Sequence, residues 1–173
     1  MDRPIIIGVM GGGSAIQDDV EAAYHLGKLV AQNGWILLNG GRNSGIMEAS
    51  AKGARDNGGL TIGILPDETP QRASRYINIP IVTGMGSARN CINVLTSDIV
   101  VACPGGPGTL SEIALALKYD KRVILFKYQE NPLFESNYQA GQLCYADSPE
   151  KVIEKINAWI PVLISPQGEI RPE

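Results

Sequence analysis

The chain has 173 residues, 44% of them hydrophobic and 19% charged, and a formal net charge of −3. That is enough chain for one domain with a full hydrophobic core. The mildly acidic balance excludes a basic nucleic-acid surface and a polybasic membrane patch. No apolar run approaches the ~20 residues of a membrane span, and the run from Ile5 to Met10 is too short for a signal-peptide core.

Ile5 to Met10 is a continuous, largely β-branched run and predicts a central parallel strand buried on both faces. Gly11, Gly12, Gly13 and Ser14 follow as a loop at its carboxyl end. A helix comes next, with Asp18 and Asp19 in its first turn, where the dipole favours acids, and Val20, Ala23, Gly27 and Val30 on one face. Gly34 ends it. Trp35 to Leu38 is a second strand, followed by the loop Asn39 to Gly45 and a helix running from Ile46 to Asn57. Leu60 to Leu65 is a third strand, stopped by Pro66. Asp67 to Tyr76 is polar and predicts a mobile loop over a site. Pro80 places the fourth strand, Ile77 to Val82, at an edge or makes it irregular.

After a third glycine turn, Gly84 to Ser87, the spacing predicts a short helix from Arg89 to Thr96 with Ile92 and Leu95 inward. Asp98 to Ala102 is a strand, Thr109 to Tyr119 a helix with Ile113, Ala116 and Leu117 inward, and Arg122 to Phe126 another strand. Lys127 to Leu143 is irregular, and Cys144 to Ala146 is a short edge strand. Ser148-Pro149-Glu150 opens a last helix: an N-cap, a proline at the first helical position and an acid in the first turn. Val152, Ile153, Ile156 and Trp159 form its buried stripe, and Pro161 ends it, leaving a loose tail from about residue 161. The alternation predicts an α/β fold: one Rossmann-like domain over residues 1–173 with a doubly wound, mostly parallel sheet.

The stretch from Val100 to Glu112 carries the chemistry. An apolar strand runs into Pro104-Gly105-Gly106-Pro107-Gly108-Thr109 and then a helix. Glycines let backbone N–H groups approach an anion closely, and the helix N-terminus adds roughly half a positive charge. Four such loops fall at strand carboxyl ends, at Gly11–Gly13, Gly40–Gly45, Gly84–Gly86 and Gly105–Gly108. In a doubly wound sheet these ends form the ligand crevice. A phosphate-bearing small molecule is the expected ligand. The Walker pattern and the dinucleotide fingerprint are both missing, and Asn39 stands where an acid would hold a ribose, which disfavours a nicotinamide dehydrogenase.

Thr109-x-x-Glu112 is compatible with a capping box or with a carboxylate facing the ligand. Arg89, a cation at a helix start, opposes the dipole; it is either a solvated surface residue or the counter-ion of a bound anion. Asn43, Ser44, Ser87 and Asn90 are either hydrogen-bond donors to that ligand or turn residues. Met10, Met47 and Met85 read as packing, and His25 as a surface or packed residue. Cys91, Cys103 and Cys144 have no metal-ligand spacing and read as buried reduced thiols of a cytoplasmic protein with no protein-ligated metal.

Pro104-Gly105-Gly106-Pro107-Gly108-Thr109-Leu110-Ser111-Glu112 resembles the P-G-G-x-G-T-x-x-E signature of the Lonely Guy family, whose members were long labelled lysine decarboxylases. Gly40 to Met47 resembles that family's G-G-G-x-x-G-L-M loop, and Gly63-Ile64-Leu65-Pro66 its G-I-I-P. Arg89 matches the Arg of its R-K pair, whereas Asn90 replaces the Lys. The resemblance implies phosphoribohydrolase chemistry on nucleoside 5′-monophosphates such as AMP or cytokinin ribotides, with Arg89 and Glu112 as the catalytic pair. Gly86-Ser87-Ala88-Arg89-Asn90, followed by Ile92-Asn93, is more similar to a sister branch that includes the molybdenum cofactor carrier proteins of algae and cyanobacteria. That likeness implies a homodimer or homotetramer holding molybdopterin, a phosphorylated pterin, without turnover and passing it to molybdoenzymes. The expected contacts are Gly105, Gly106, Gly108 and Thr109 on the phosphate and Arg89 as counter-ion, with Gly11 to Ser14, Gly41, Asn43, Ser44, Gly45, Ser87, Asn90 and Glu112 around the rest. A nucleotide-sensing module without catalysis is a third reading.

Overall fold

The computed structural model describes residues 3–130, 134 and 139–164. Its elements are β1 (Ile6–Met10), α1 (Gln17–Gln32), β2 (Ile36–Asn39), α2 (Gly45–Asp56), β3 (Thr61–Leu65), β4 (Ile79–Val82), α3 (Asn90–Thr96), β5 (Ile99–Ala102), α4 (Pro107–Lys118), β6 (Arg122–Phe126), β7 (Leu143–Ala146) and α5 (Pro149–Ile164). Short 3₁₀ turns occupy Pro70–Arg72 and Gly86–Arg89. The described strands form one sheet in the order β4-β3-β2-β1-β5-β6-β7, and every pairing is parallel. The fold is therefore a Rossmann-like α/β domain. Strand order reverses between β1 and β5, so the loops leaving those two strands flank the crevice.

Alternation along the strands builds two apolar layers. Ile7, Val9, Leu37, Val101 and Ile124 pack with Leu26, Val30, Ala54, Val152 and Ile156 of α1, α2 and α5. Met10, Leu38, Val100, Ala102 and Val123 pack on the other face with Val94, Ile113 and Ala116 of α3 and α4. On the first face α1 and α2 cross at two glycines. A Cβ built on Gly27 would lie 2.0 Å from the Ser50 carbonyl oxygen, and one on Gly53 would lie 1.9 Å from that of Tyr24.

Several expectations are corrected. No residue of the 67–76 loop lines the crevice. The loop is fastened sideways to the β2–α2 loop, where Asn43 N–H donates to the Arg72 carbonyl, Ser74 N–H donates to that of Gly41, and Arg42 forms a two-pronged ion pair with Asp67. The inward face of α3 is Asn90, Asn93 and Val94, while Leu95 is 49% exposed. Hydrogen bonds from the two asparagines to α4 set that orientation and override the apolar spacing. Pro161 does not end α5, which continues to Ile164. A proline in the last turn removes only its own N–H bond, to a carbonyl on the exposed side at Asn157. Residues 165–173 of the expected tail lie outside the described residues, as does most of 131–138. All three cysteines are free, but Cys103 alone is buried; burial pushes its thiol up to about 12.

Candidate anion-binding site

The loops after β1 and β5 meet face to face. Gly12 N–H donates to the Pro104 carbonyl at 3.1 Å, and the Gly12 carbonyl accepts from Ile46 N–H at 3.0 Å. The β2–α2 loop is thereby drawn into the same rim. Gly45 makes this possible: its φ is +52°, and a Cβ there would lie 2.3 Å from the Gly12 carbonyl oxygen. The three loops enclose a cavity of about 250 Å³ lined by Gly11, Gly12, Gly13, Gly106, Gly108 and Thr109, with Arg89, Asn90 and Glu112 on its wall. Met10, Gly40, Met47 and Pro107 complete the lining. Met10 and Met47, expected as packing, thus also line the cavity, and Gly40 and Pro107 join the loop residues expected there.

Helix α4 starts at Pro107 with Gly106 as its N-cap, two residues before the expected start. Proline suits the first helical position because it has no N–H to leave unpaired. The amides of Gly108 and Thr109 then fall in the first turn, where no intrahelical acceptor reaches them. Glu112 is consequently inside the helix and makes no cap. The capping-box alternative is corrected by this register.

Glu112 points across to α3. Its Oε1 accepts from Asn93 Nδ2 at 2.7 Å and lies 3.4 Å from Arg89 Nη1. Glu112 is buried, and the Arg89 side chain is 11% exposed. Burial raises the Glu112 carboxyl above its ordinary value, against the Asn93 hydrogen bond and the Arg89 charge, which lower it. Burial also lowers the Arg89 guanidinium, opposed by Glu112, but a guanidinium stays charged in proteins. Arg89 lies close against Gly40, where a Cβ would come within 2.7 Å of Nη2. Asn90 Nδ2 donates to Ser111 Oγ at 2.8 Å and weakly to the Gly108 carbonyl, fastening α3 to the start of α4.

The remaining candidates take other places. Ser44 and Ser87 line an adjoining lobe of about 350 Å³ with Arg42, Pro66 and Gly86, and this lobe shares Gly13, Met47, Arg89, Asn90 and Gly108 with the cavity. Asn43 and Gly45 border an outer groove between α1 and α2 instead. Gly41 packs on Gly63, and Gly105 supports the cradle from behind, against Thr109. Ser14 lies beside Gly12 through its carbonyl. His25 is on the surface, 3.4 Å from Glu150. Among the described residues no three His, Cys, Asp or Glu side chains gather as a metal-holding group, and no helix is long and apolar enough to cross a membrane.

A family model decides the relationship: that of the SLOG cluster4 family matches residues 4–153. The chain belongs to this family. It is Lonely Guy-like and is similar to molybdenum cofactor carrier proteins. The molybdenum cofactor binding protein of Rippkaea orientalis is 50% identical with a TM-score of 0.86, covering 92% of this chain and 99% of that one. The molybdenum cofactor carrier protein of Chlamydomonas reinhardtii is 42% identical with a TM-score of 0.85 and the same coverage. A cytokinin riboside 5′-monophosphate phosphoribohydrolase of Mycobacterium tuberculosis is 36% identical over 96 residues, covering 54% of this chain and 51% of that enzyme.

Proposed function

We propose that this SLOG cluster4 protein is a carrier that holds the molybdenum cofactor, a phosphorylated pterin, without turning it over. The observation that carries the reading is the cavity at the sheet's switch point, walled by glycine backbone and by one largely buried cation, Arg89. The first turn of α4 and Arg89 suit a phosphate. The adjoining lobe, with Arg42, Ser44, Ser87 and Asn90, suits a flat polar heterocycle. The solved neighbours at 42% and 50% identity are a carrier and a binding protein for this cofactor, which supports the assignment. A cytoplasmic location and molybdoenzymes as recipients belong to the same proposal.

Mass spectrometry of the small molecule that copurifies tests the ligand directly; a pterin is expected. Gly106→Asp tests the cradle. A Cβ on Gly106 meets nothing within 4 Å, so the variant has room to fold. Its carboxylate stands at the cavity lining. A like charge ~5 Å from a phosphate costs roughly 3 kcal/mol at an effective dielectric near 20. Affinity for the cofactor should fall by about a hundredfold, and unchanged affinity overturns the mapping.

The second reading, an N-glycosidic phosphoribohydrolase, is favoured by one observation: Arg89 and Glu112 meet on the wall of the same cavity. Release of adenine from AMP, lost in Glu112→Gln, would establish it in place of the carrier reading.

A homo-oligomer belongs to the proposal as well, and one surface supports it. Parallel sheets are ordinarily covered on both faces. No described α-helix lies between β3 and β4 in the chain, and β4 is an end strand of the sheet. Ile79, Ile81, Met85, Leu95 and Leu110 are each 42–50% exposed. α3 has no charged residue, and α4 has only buried Glu112 and its terminal Lys118. A helix surface so poor in charge suits burial against a second copy. Light scattering should give a mass of at least two chains, reduced to one in Ile81→Lys/Leu95→Lys; a monomeric unaltered protein rejects this interface.

A further inference from the structure

Two buried polar atoms beside the cavity have no partner among the described residues: Asn93 Oδ1 and Arg89 Nε. Both belong to the network around Glu112. Asn93 is 0% exposed. Leaving a buried polar group unpaired costs about 1–3 kcal/mol, and such groups demand a reason. The network is better matched to a second state. An anion in the cavity offers an acceptor to Arg89 Nε–H. Glu112 then shares the one cation that acts on it and sits buried beside a negative ligand, where its neutral form is favoured.

Asn93 is built for that form. A neutral carboxyl and an amide close a ring of two hydrogen bonds, amide N–H to the acid carbonyl and acid O–H to the amide oxygen. The first half already exists as Asn93 Nδ2–H donating to Glu112 Oε1 at 2.7 Å. The acceptor of the second half is the orphan Oδ1. A carboxylate has no proton with which to close the ring, so Oδ1 stays unpaired until Glu112 is protonated.

We propose that anion binding in this cavity is coupled to uptake of one proton by Glu112, with Asn93 the positioning residue that hydrogen-bonds the carboxyl in both of its states. The proposal rests on the anion-cradle reading above. The proton comes from solvent and bonds to the second carboxyl oxygen; no covalent bond in the ligand changes. Arg89 at the start of α3 is the charged group that faces Glu112. Arg42 and Asp67, paired on the loops after β2 and β3, act one step further out, on Arg89. Burial already raises Glu112 in the free protein. Coupling therefore operates above the usual carboxylate range, between Glu112's free and anion-bound values. There affinity falls as pH rises, by about tenfold per unit where a full proton is taken up.

Sulfate is a suitable probe because it exchanges no proton near neutrality. Calorimetric titration of the whole chain with sulfate, in two buffers of different ionisation enthalpy, should register proton uptake. In Glu112→Gln, whose amide mimics the neutral acid, sulfate should bind with no uptake and with a flat pH profile. In Asn93→Leu the donor to the carboxylate and the acceptor of the acid proton are both gone. Asn93 holds the carboxyl with and without the anion, so both values of Glu112 should shift together and the pH window of uptake should move while sulfate still binds. Asn93→Ala gives the same readout if the leucine variant does not fold. A merely structural Asn93 would lower affinity and leave that pH window in place, which overturns its role. Sulfate binding without proton uptake in the unaltered protein overturns the coupling and leaves the cradle standing. Failure of sulfate, phosphate and AMP all to bind overturns the cradle reading, and the coupling with it.

Discussion

Replacing Arg89 by methionine is expected to weaken binding of a phosphate-bearing ligand by about thirtyfold to several thousandfold, equivalent to about 2–5 kcal/mol. Arg89 is the largely buried cation on the cavity wall, and methionine keeps much of its apolar volume while removing every donor. The backbone amides of the first turn of α4 remain, so residual binding should persist at low salt. The variant also has a signature in stability. Without Arg89 the Glu112 carboxyl is buried beside the Asn93 amide alone. Breaking a buried pair costs about 3–5 kcal/mol when the remaining group stays ionised. Glu112 escapes part of that by taking a proton, because burial already raises it.

The sign follows from linkage. A carboxyl raised in the folded state stabilises the fold relative to higher pH, and that contribution is lost as pH rises through its folded value. Arg89→Met raises Glu112 further, so the deficit against the unaltered protein should be small near about pH 5 and larger near about pH 8. Urea unfolding at the two pH values measures it. A deficit that is constant across that range would mean that Glu112 and Arg89 are energetically independent.

The strand–loop–helix order was legible in the sequence because glycine loops punctuate β-branched runs, and a parallel sheet buried on both faces leaves little else for such runs to do. The edge position of β4 was legible from Pro80. What the sequence hid lies where tertiary contacts override a local pattern. Thr109-x-x-Glu112 has the spacing of a capping box, yet Pro107 takes the first helical position and moves Glu112 into the helix interior, opposite Arg89. In α3, Ile92 packs against the core as its apolar character suggests, but Leu95 is exposed and the buried face carries Asn90 and Asn93. One signal was available: two asparagines three residues apart share a face in a helix with no charged residue. The cavity methionines were hidden for a different reason. Met10 ends a core strand and Met47 lies in the first turn of α2, so core packing and cavity lining predict the same residue type.

The other large effect is expected at the crossing of α1 and α2. Gly53→Ala should destabilise the protein by about 3 kcal/mol, at the upper end of the usual range for overpacking. The added Cβ would lie 1.9 Å from the Tyr24 carbonyl oxygen, 2.8 Å from its carbon and 3.0 Å from Lys28 N. All three are backbone atoms of α1, so no rotamer change relieves the clash and the helices must separate. For a chain of this size that is a fall in Tm of roughly 6–12 °C. Gly27→Ala meets the Ser50 carbonyl at 2.0 Å and should behave alike. The two should not add. Once one alanine has parted the helices, the second finds much of its space already made, so the double variant should cost clearly less than the sum. Gly34→Ala is the control: its φ is +73° with nothing within 4 Å, so it bears only local strain, about 1 kcal/mol. The crossing also governs the site. α1 follows the Gly11–Ser14 loop and α2 begins at Gly45, whose packing on Gly12 and Gly13 joins the two loops at the cavity rim. Parting the helices should therefore loosen ligand binding well below the melting temperature, although neither glycine lines the cavity. Calorimetric melting of the single and double variants, with ligand titration at 20–30 degrees below Tm (roughly, by the same scale), separates this transmitted effect from partial unfolding. Full-affinity binding by a strongly destabilised Gly53→Ala would show that the rim is held by the sheet alone.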